Sequence, residues 1–365
     1  MIKPSKTAAT LAKLLTPDNS QMSTAPSGSK KAFNNTIAEV LKIDTEFEKS
    51  NGVFFEPGKD AFDTAKKFTD IHINHYHDNA RPSLPTLAIH HAEKMGLSQG
   101  SPEYKAMVLI AFHAEIQQEN APDYHNRNHF ADVTAVAASL IHTNLQMLED
   151  KNPEAVNLNA SEQALVVIAA LGHDLGHDGH GNPADNIYFN EDKSFIQIAP
   201  ILEEAGLDQK KINKIQTMLL TTSPNGPHSI LKSTAKSFRE NGGVNWKKVD
   251  PEGKYPELKH LSQDTALTEM CAILSDADLY ASSGAGLESN KVMSNFLTNE
   301  TKKSGVNMDF TSDNSRKFFL DNIVGTEGFA SGAGRKNGNE TFQALRSETD
   351  RRIASTAKPP AGPKQ

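Results

Sequence analysis

From Ser101 onward, the apolar residues of this chain recur at helical spacing. Ser101-Pro102 reads as a helix start, and Val108, Leu109, Phe112 and Ile116 follow at the period of one buried face. The same spacing predicts helices over Phe130–Leu148, Ser161–His173, Ser194–Ala205, Gln209–Leu220, Ile230–Arg239, Asp264–Tyr280, Lys291–Thr298, Arg316–Ile323 and Thr341–Ile353. Alternating β-branched runs are absent, so the pattern predicts an all-α fold. Two stretches interrupt it. Asn241–Leu261 is rich in Gly, Pro and Lys, and Gly325–Asn339 carries five glycines; the second reads as a mobile lid or surface loop, since it lacks the strand and Gly-Lys-Ser/Thr of a phosphate cradle. Residues 1–32 are rich in Ser, Thr, Pro and Lys, and residues 356–365 are rich in Pro. Both read as disordered tails around a body spanning 33–355. No internal repeat is visible.

A length of 365 residues allows one large domain or two ordinary ones. The formal net charge of −7 argues against a nucleic-acid surface but not against a small anionic substrate, because bound divalent cations would reverse the local field. The single cysteine, Cys271, excludes an internal disulfide framework and reads as a buried core residue in a reducing, cytoplasmic setting. No stretch approaches the ~20 apolar residues of a membrane span, and no secretory core is present. Export without an N-terminal signature stays open.

The chemistry concentrates in two motifs. The apolar run Ala164–Leu171 leads into Gly-His173-Asp174-Leu-Gly-His177-Asp-Gly-His180-Gly-Asn182. An adjacent imidazole and carboxylate can reach one divalent metal, and His177 lies one turn further along. Tyr124-His125-Asn126-Arg127-Asn128-His129-Phe130-Ala131-Asp132-Val133 places His125 and His129 on one helical face. Asp132, three residues after His129, is placed either to accept its second ring N–H or as a surface acid. A fourth ligand is expected from Leu274-Ser-Asp276-Ala-Asp278-Leu-Tyr280, where Asp276 and Asp278 compete. His180 reads as exposed, and His72, His75, His77, His90 and His91 read as surface or capping residues.

In that order the motifs resemble the catalytic domain of class I 3′,5′-cyclic nucleotide phosphodiesterases, a branch of the His-Asp metallophosphohydrolases, over residues 70 to 330. The resemblance implies a compact multi-helix domain with its metal site in a pocket between helices. It makes His129, His173, Asp174 and Asp278 the ligands of a tight zinc site, with Asp174 bridging to a second ion, magnesium or manganese. It makes His177 and Thr221 organisers of metal-bound water, Asn182 a structural residue and His125 the general acid. Two cations would neutralise the phosphoryl oxygens and lower the pKa of a shared water, which supplies the bridging hydroxide as nucleophile. An imidazolium would then protonate the departing oxygen.

The chain also departs from the family. Thr326 stands where a purine-holding glutamine is expected, although the ring-stacking position is kept as Phe329. Ala281, Gln197 and Asn295 stand where an asparagine and two acids are expected. The leading expectation is hydrolysis of cyclic AMP, cyclic GMP or both to 5′-monophosphates. An HD-type phosphohydrolase for another nucleotide or phosphate ester is the rival. A weakly catalytic nucleotide-binding signalling module is the third reading. The expected partner is a small cyclic nucleotide, with no nucleic acid and no membrane. Base preference, metal identity and oligomeric state are left open.

Overall fold

The computed structural model describes residues 4–15, 28–50, 52–76, 81–117, 121–224, 226–306, 308–325 and 327–356. Among them every regular element is helical. In chain order these are α1 Pro4–Leu15, α2 Gly28–Lys49, α3 Ala61–Tyr76, α4 Leu84–Lys94, α5 Pro102–Ile116, α6 Arg127–Glu149, α7 Ala160–Gly172, α8 Phe189–Ala205, α9 Gln209–Leu220, α10 Pro227–Asn241, α11 Trp246–Val249, α12 Thr265–Leu279, α13 Leu287–Lys303, α14 Asp313–Phe319 and α15 Gly332–Thr356. A 3-10 turn covers Pro256–Gln263, and π-helical turns cover Tyr280–Gly284 and Leu320–Val324.

Helix α7 is the axis of the molecule. It starts at a capping box in which Asn159 accepts from the Glu162 N–H and the Glu162 carboxylate accepts from the Asn159 N–H. Its residues Ala164 to Leu171 are apolar on every face and all buried, because α5, α6, α9 and α12 pack around it. Its C-terminal end delivers His173 and Asp174 to the edge of that core. Gly172 sits where a Cβ would stand 3.0 Å from Ile198 and 3.2 Å from Ile110, so the helix end packs closely against α8 and α5.

The periodicity places α9 over Gln209–Leu220 as expected and most other helices to within a turn. Two expectations need correction. The tail expected to be disordered over residues 1–32 contains α1, whose Leu11 is buried and whose Thr7 hydroxyl lies 2.6 Å from that of Thr86. A short amphipathic helix with a partner surface orders where composition alone predicts disorder. The Gly-rich stretch 325–339 is no surface loop beyond residue 331, because α15 begins at Gly332. A Cβ on Gly334 would stand 2.3 Å from the Asp276 carboxylate, and one on Gly338 would stand 2.3 Å from the Phe329 ring. These glycines permit close helix packing. No helix is long and apolar enough to cross a membrane among the described residues.

Candidate active site

Three elements converge on the end of α7. The first is the start of α6, capped by Asn126, whose side-chain oxygen accepts from the Asn128 N–H at 2.8 Å. The second is the α7 end with the loop that follows. The third is the last turn of α12, which runs into the π-helical turn Tyr280–Gly284; such turns are frequent at functional sites.

Together they bring four donor atoms to one point. His129 Nε2 lies 3.2 Å from His173 Nε2, 3.2 Å from Asp174 Oδ2 and 3.4 Å from Asp278 Oδ1. His173 Nε2 lies 3.0 Å from Asp174 Oδ2 and 3.9 Å from Asp278 Oδ1. Ligands about 2.0–2.1 Å from a tetrahedral zinc are separated by about 3.3 Å, so the spacing among the His129, His173 and Asp174 atoms fits such an ion, with Asp278 close to both histidines. The tautomers fit too. His173 Nδ1 donates to the Ala170 carbonyl at 2.9 Å, which turns a lone pair on Nε2 toward the other donors. Burial opposes charge on His173, yet Asp174 and then Asp278 outweigh it and lift the ring to about 9. Burial likewise opposes charge on Asp174, but His173 and His125 hold it well below the ordinary carboxylate range. The pocket therefore attracts positive charge where a cation would sit.

The geometry separates the two competing aspartates. Asp278 faces the histidines, while Asp276 is fully buried and accepts from the N–H groups of Ala330 and Ser331 at 2.7 Å each. It also accepts from the Ser331 hydroxyl at 2.6 Å, so it fastens the chain leading into α15. Asp132 is not the partner of His129: it pairs with Arg81, and His129 Nδ1 is buried without a hydrogen bond.

His125 stands beside this group. Its Nδ1 lies 2.6 Å from Glu300 Oε1, and its Nε2 lies 3.8 Å from Asp174 Oδ2. The other Glu300 oxygen accepts from the Tyr124 and His125 N–H groups at 2.7 and 3.0 Å. Burial lowers the His125 pKa, but Asp174 and Glu300 overcome it and raise the ring above its ordinary value. His177 stacks on His125 with ring centroids 3.7 Å apart. Its Nδ1 accepts from the Gly179 N–H at 3.0 Å, and burial followed by the His125 charge pushes it down to about 4. His177 is therefore a neutral neighbour of a chargeable His125. Gly179 takes a left-handed φ of 83°, and a Cβ there would stand 3.0 Å from the Glu300 side chain.

A cavity of about 490 Å³ opens over these residues. Its polar wall includes Asn190, Glu191, Thr222 and Asp278, and its apolar wall includes Met293, Leu297, Phe310, Phe319 and Ile323. Two expectations are revised by it. Phe329 does not line the cavity; it is buried against Tyr280 and Phe342. Thr221 is fully buried and its hydroxyl donates back to the Met218 carbonyl, while the neighbouring Thr222 faces the cavity. Asn182 is a brace, as expected, donating to the Ile187 carbonyl and the Glu191 carboxylate at 2.8 and 2.9 Å. Thr326 lies outside the described residues.

The acids expected near Gln197 and Asn295 come from elsewhere. Gln197 accepts from Gln117 at 2.8 Å over Gly176, away from the site, and Asn295 is exposed. Glu191, one and a half turns before Gln197, is buried in the cavity wall, where burial raises it to about 7. Glu300, five residues after Asn295, holds His125. Both were findable: Glu191 shares a face with Ser194 and Ile198, and Glu300 shares one with Met293 and Leu297, so each is an acid on a buried stripe. His180 is exposed at the rim beside Asp178. His91, expected at the surface, is buried, and His90 stacks on Phe54 at 3.7 Å. The side chains of His72 and His75, and all of His77, lie outside the described residues.

Comparison with known proteins finds similarity to a protein family and to solved structures. A solved structure of LmjPDEB1 from Leishmania, in complex with IBMX, aligns at 15% identity and a TM-score of 0.49, covering 80% of this chain and 87% of that one. No match was found among curated protein sequences. The family model of 3′5′-cyclic nucleotide phosphodiesterases matches residues 124–187. That stretch carries His125, His129, His173, Asp174 and His177, so over residues 124–187 the chain is similar to the 3′5′-cyclic nucleotide phosphodiesterase family.

Proposed function

We propose that the chain hydrolyses 3′,5′-cyclic nucleotides to 5′-monophosphates, with His129, His173, Asp174 and Asp278 holding a zinc ion and Asp174 shared with a second ion, magnesium or manganese. The observation that carries this reading is the close grouping of His129, His173 and Asp174, with Asp278 beside the two histidines, next to a histidine held by its own carboxylate. When bound, the ions supply phosphoryl charge neutralisation and acidify water at neutral pH.

The chain's own groups do the rest. Glu300 fixes a proton on His125 Nδ1 and stabilises the imidazolium, so Nε2 presents a proton to the cavity. As water oxygen adds to phosphorus and the bond to the 3′ oxygen breaks, that proton passes to the leaving oxygen. His177, neutral and donating from Nε2, orders water at the edge of the site. Glu191, titrating near neutrality in the wall, is placed to take the proton that the attacking water gives up. Thr222 takes the water-facing place expected for Thr221. The apolar wall takes the base.

A phosphohydrolase for another nucleotide or phosphate ester is the second reading, favoured by the withdrawal of Phe329 from the cavity. A substrate panel separates them. Release of 5′-monophosphate from cyclic AMP or cyclic GMP supports the first, and turnover confined to other phosphate esters supports the second. A location inside the cell, in a reducing compartment, is part of the proposal and is checked by fractionation.

A further inference from the structure

Outside the lining of the cavity, the start of α6 is tied down by a buried chain of polar contacts that begins in the N-terminal layer. Arg81 Nη1 donates to the Asn128 carbonyl at 2.9 Å and pairs with the Asp132 carboxylate. Asn128 and Asp132 bracket His129, so a single guanidinium spans the turn that carries a donor atom of the site. The residues after Arg81 are held in turn. Ser83 N–H and the Thr86 hydroxyl donate to Asp44 of α2 at 2.9 and 2.7 Å, and the Ser83 hydroxyl reaches the same carboxylate at 3.1 Å. The Pro82 carbonyl accepts from Arg127 at 3.2 Å, and Leu84 N–H donates to Glu115, whose other oxygen accepts from Arg127 at 2.6 Å. Asp44, Arg81, Ser83 and Asp132 are all buried.

We propose that Arg81 is a positioning residue for the hydrolytic site and that the strap 81–86, anchored on Asp44, makes the α1–α2 layer part of its machinery. A buried ion pair adds little net stability compared with apolar side chains of the same volume, but its directional contacts fix placement. Placement is what this turn requires. His129 Nε2 must stay within hydrogen-bonding range of three other donor atoms, and an error of about 1 Å in such a group costs on the order of 10²-fold in rate.

The inference rests on the hydrolytic reading above, and its test keeps the two apart. Arg81→Lys keeps the charge but cannot span both Asn128 and Asp132, and Arg81→Met keeps neither contact. Asp44→Asn leaves Arg81 in place and loosens the far end of the strap. On each variant, kcat and KM for cyclic nucleotide are measured below the melting temperature. The chelator concentration that strips half the bound metal is measured on the same samples. We expect kcat about tenfold lower in Arg81→Lys and about 100-fold lower in Arg81→Met, with KM within about twofold and metal stripped at correspondingly less chelator. Graded recovery from Met to Lys is the signature of positioning. If Arg81→Met does not fold, Arg81→Lys and Asp44→Asn carry the test. Lys94→Ala, which breaks an exposed pair between α4 and the segment before α3, is expected to match wild type. A lower melting temperature with wild-type kcat and wild-type stripping in Arg81→Lys and Asp44→Asn overturns the proposal. Stripping needs no substrate, so a wild-type protein inactive on cyclic nucleotides refutes the activity alone and still decides the role of Arg81.

Discussion

At the scale of single residues, the site turns on which side chains meet and which are diverted. Asp276 and Asp278 are two residues apart in sequence but serve different ends. Asp278→Asn is expected to abolish tight metal binding and turnover while the protein stays folded, as metal analysis and thermal melting will show. Asp276→Asn is expected to keep the metal but lower the melting temperature, because it replaces one of two buried accepting oxygens with an NH2 group that meets N–H donors. Glu300→Gln keeps a hydrogen bond to His125 but loses the charge that holds its proton. kcat is expected to fall about tenfold with KM little changed, against ~10²–10⁴-fold for His125→Ala. Equal kcat in Glu300→Gln and wild type would remove Glu300 from the account.

At the scale of elements, helix existence was legible because one apolar face recurs in almost every window. That His125, His129, His173 and Asp174 lie close together was legible because His173-Asp174 and His125/His129 are short local motifs. What the sequence concealed depends on contacts between distant segments. Glu300 reaches His125 across 175 positions, and Phe329 is drawn inward because Gly338 leaves room for its ring. A motif match at Phe329 reads adjacency along the chain, whereas the direction of that ring is set by α15. Helix α12 shows the same effect in its electrostatics. Glu269 is buried with one oxygen unpartnered, and burial pushes it up to about 8. A folded-state value above the ordinary carboxylate value favours the protonated form, so the stability it gives is full below the unfolded pKa and is lost as pH rises through about 8. Glu269→Gln is therefore expected to raise the melting temperature at pH about 9 and to match wild type at pH about 4. A gain of equal size at both pH values would contradict this sign.

At the scale of the whole molecule, the α7 axis brings a cation-attracting point, a carboxylate-held histidine and an apolar wall around one cavity. The wall predicts where substrate selectivity resides. Phe319→Ala is expected to raise KM about tenfold through lost contact area, whereas Phe329→Leu should leave KM near wild type and lower stability; the opposite pattern in steady-state kinetics would return Phe329 to the substrate. The most direct test of the hydrolytic site is metal content measured together with 5′-monophosphate release from cyclic AMP and cyclic GMP, in wild type, His173→Ala and Asp174→Ala. The account predicts that wild type holds metal, loses activity when stripped and regains it on reloading, while both variants lose tight metal and turnover together. Variants that keep both the metal and the wild-type rate would contradict it.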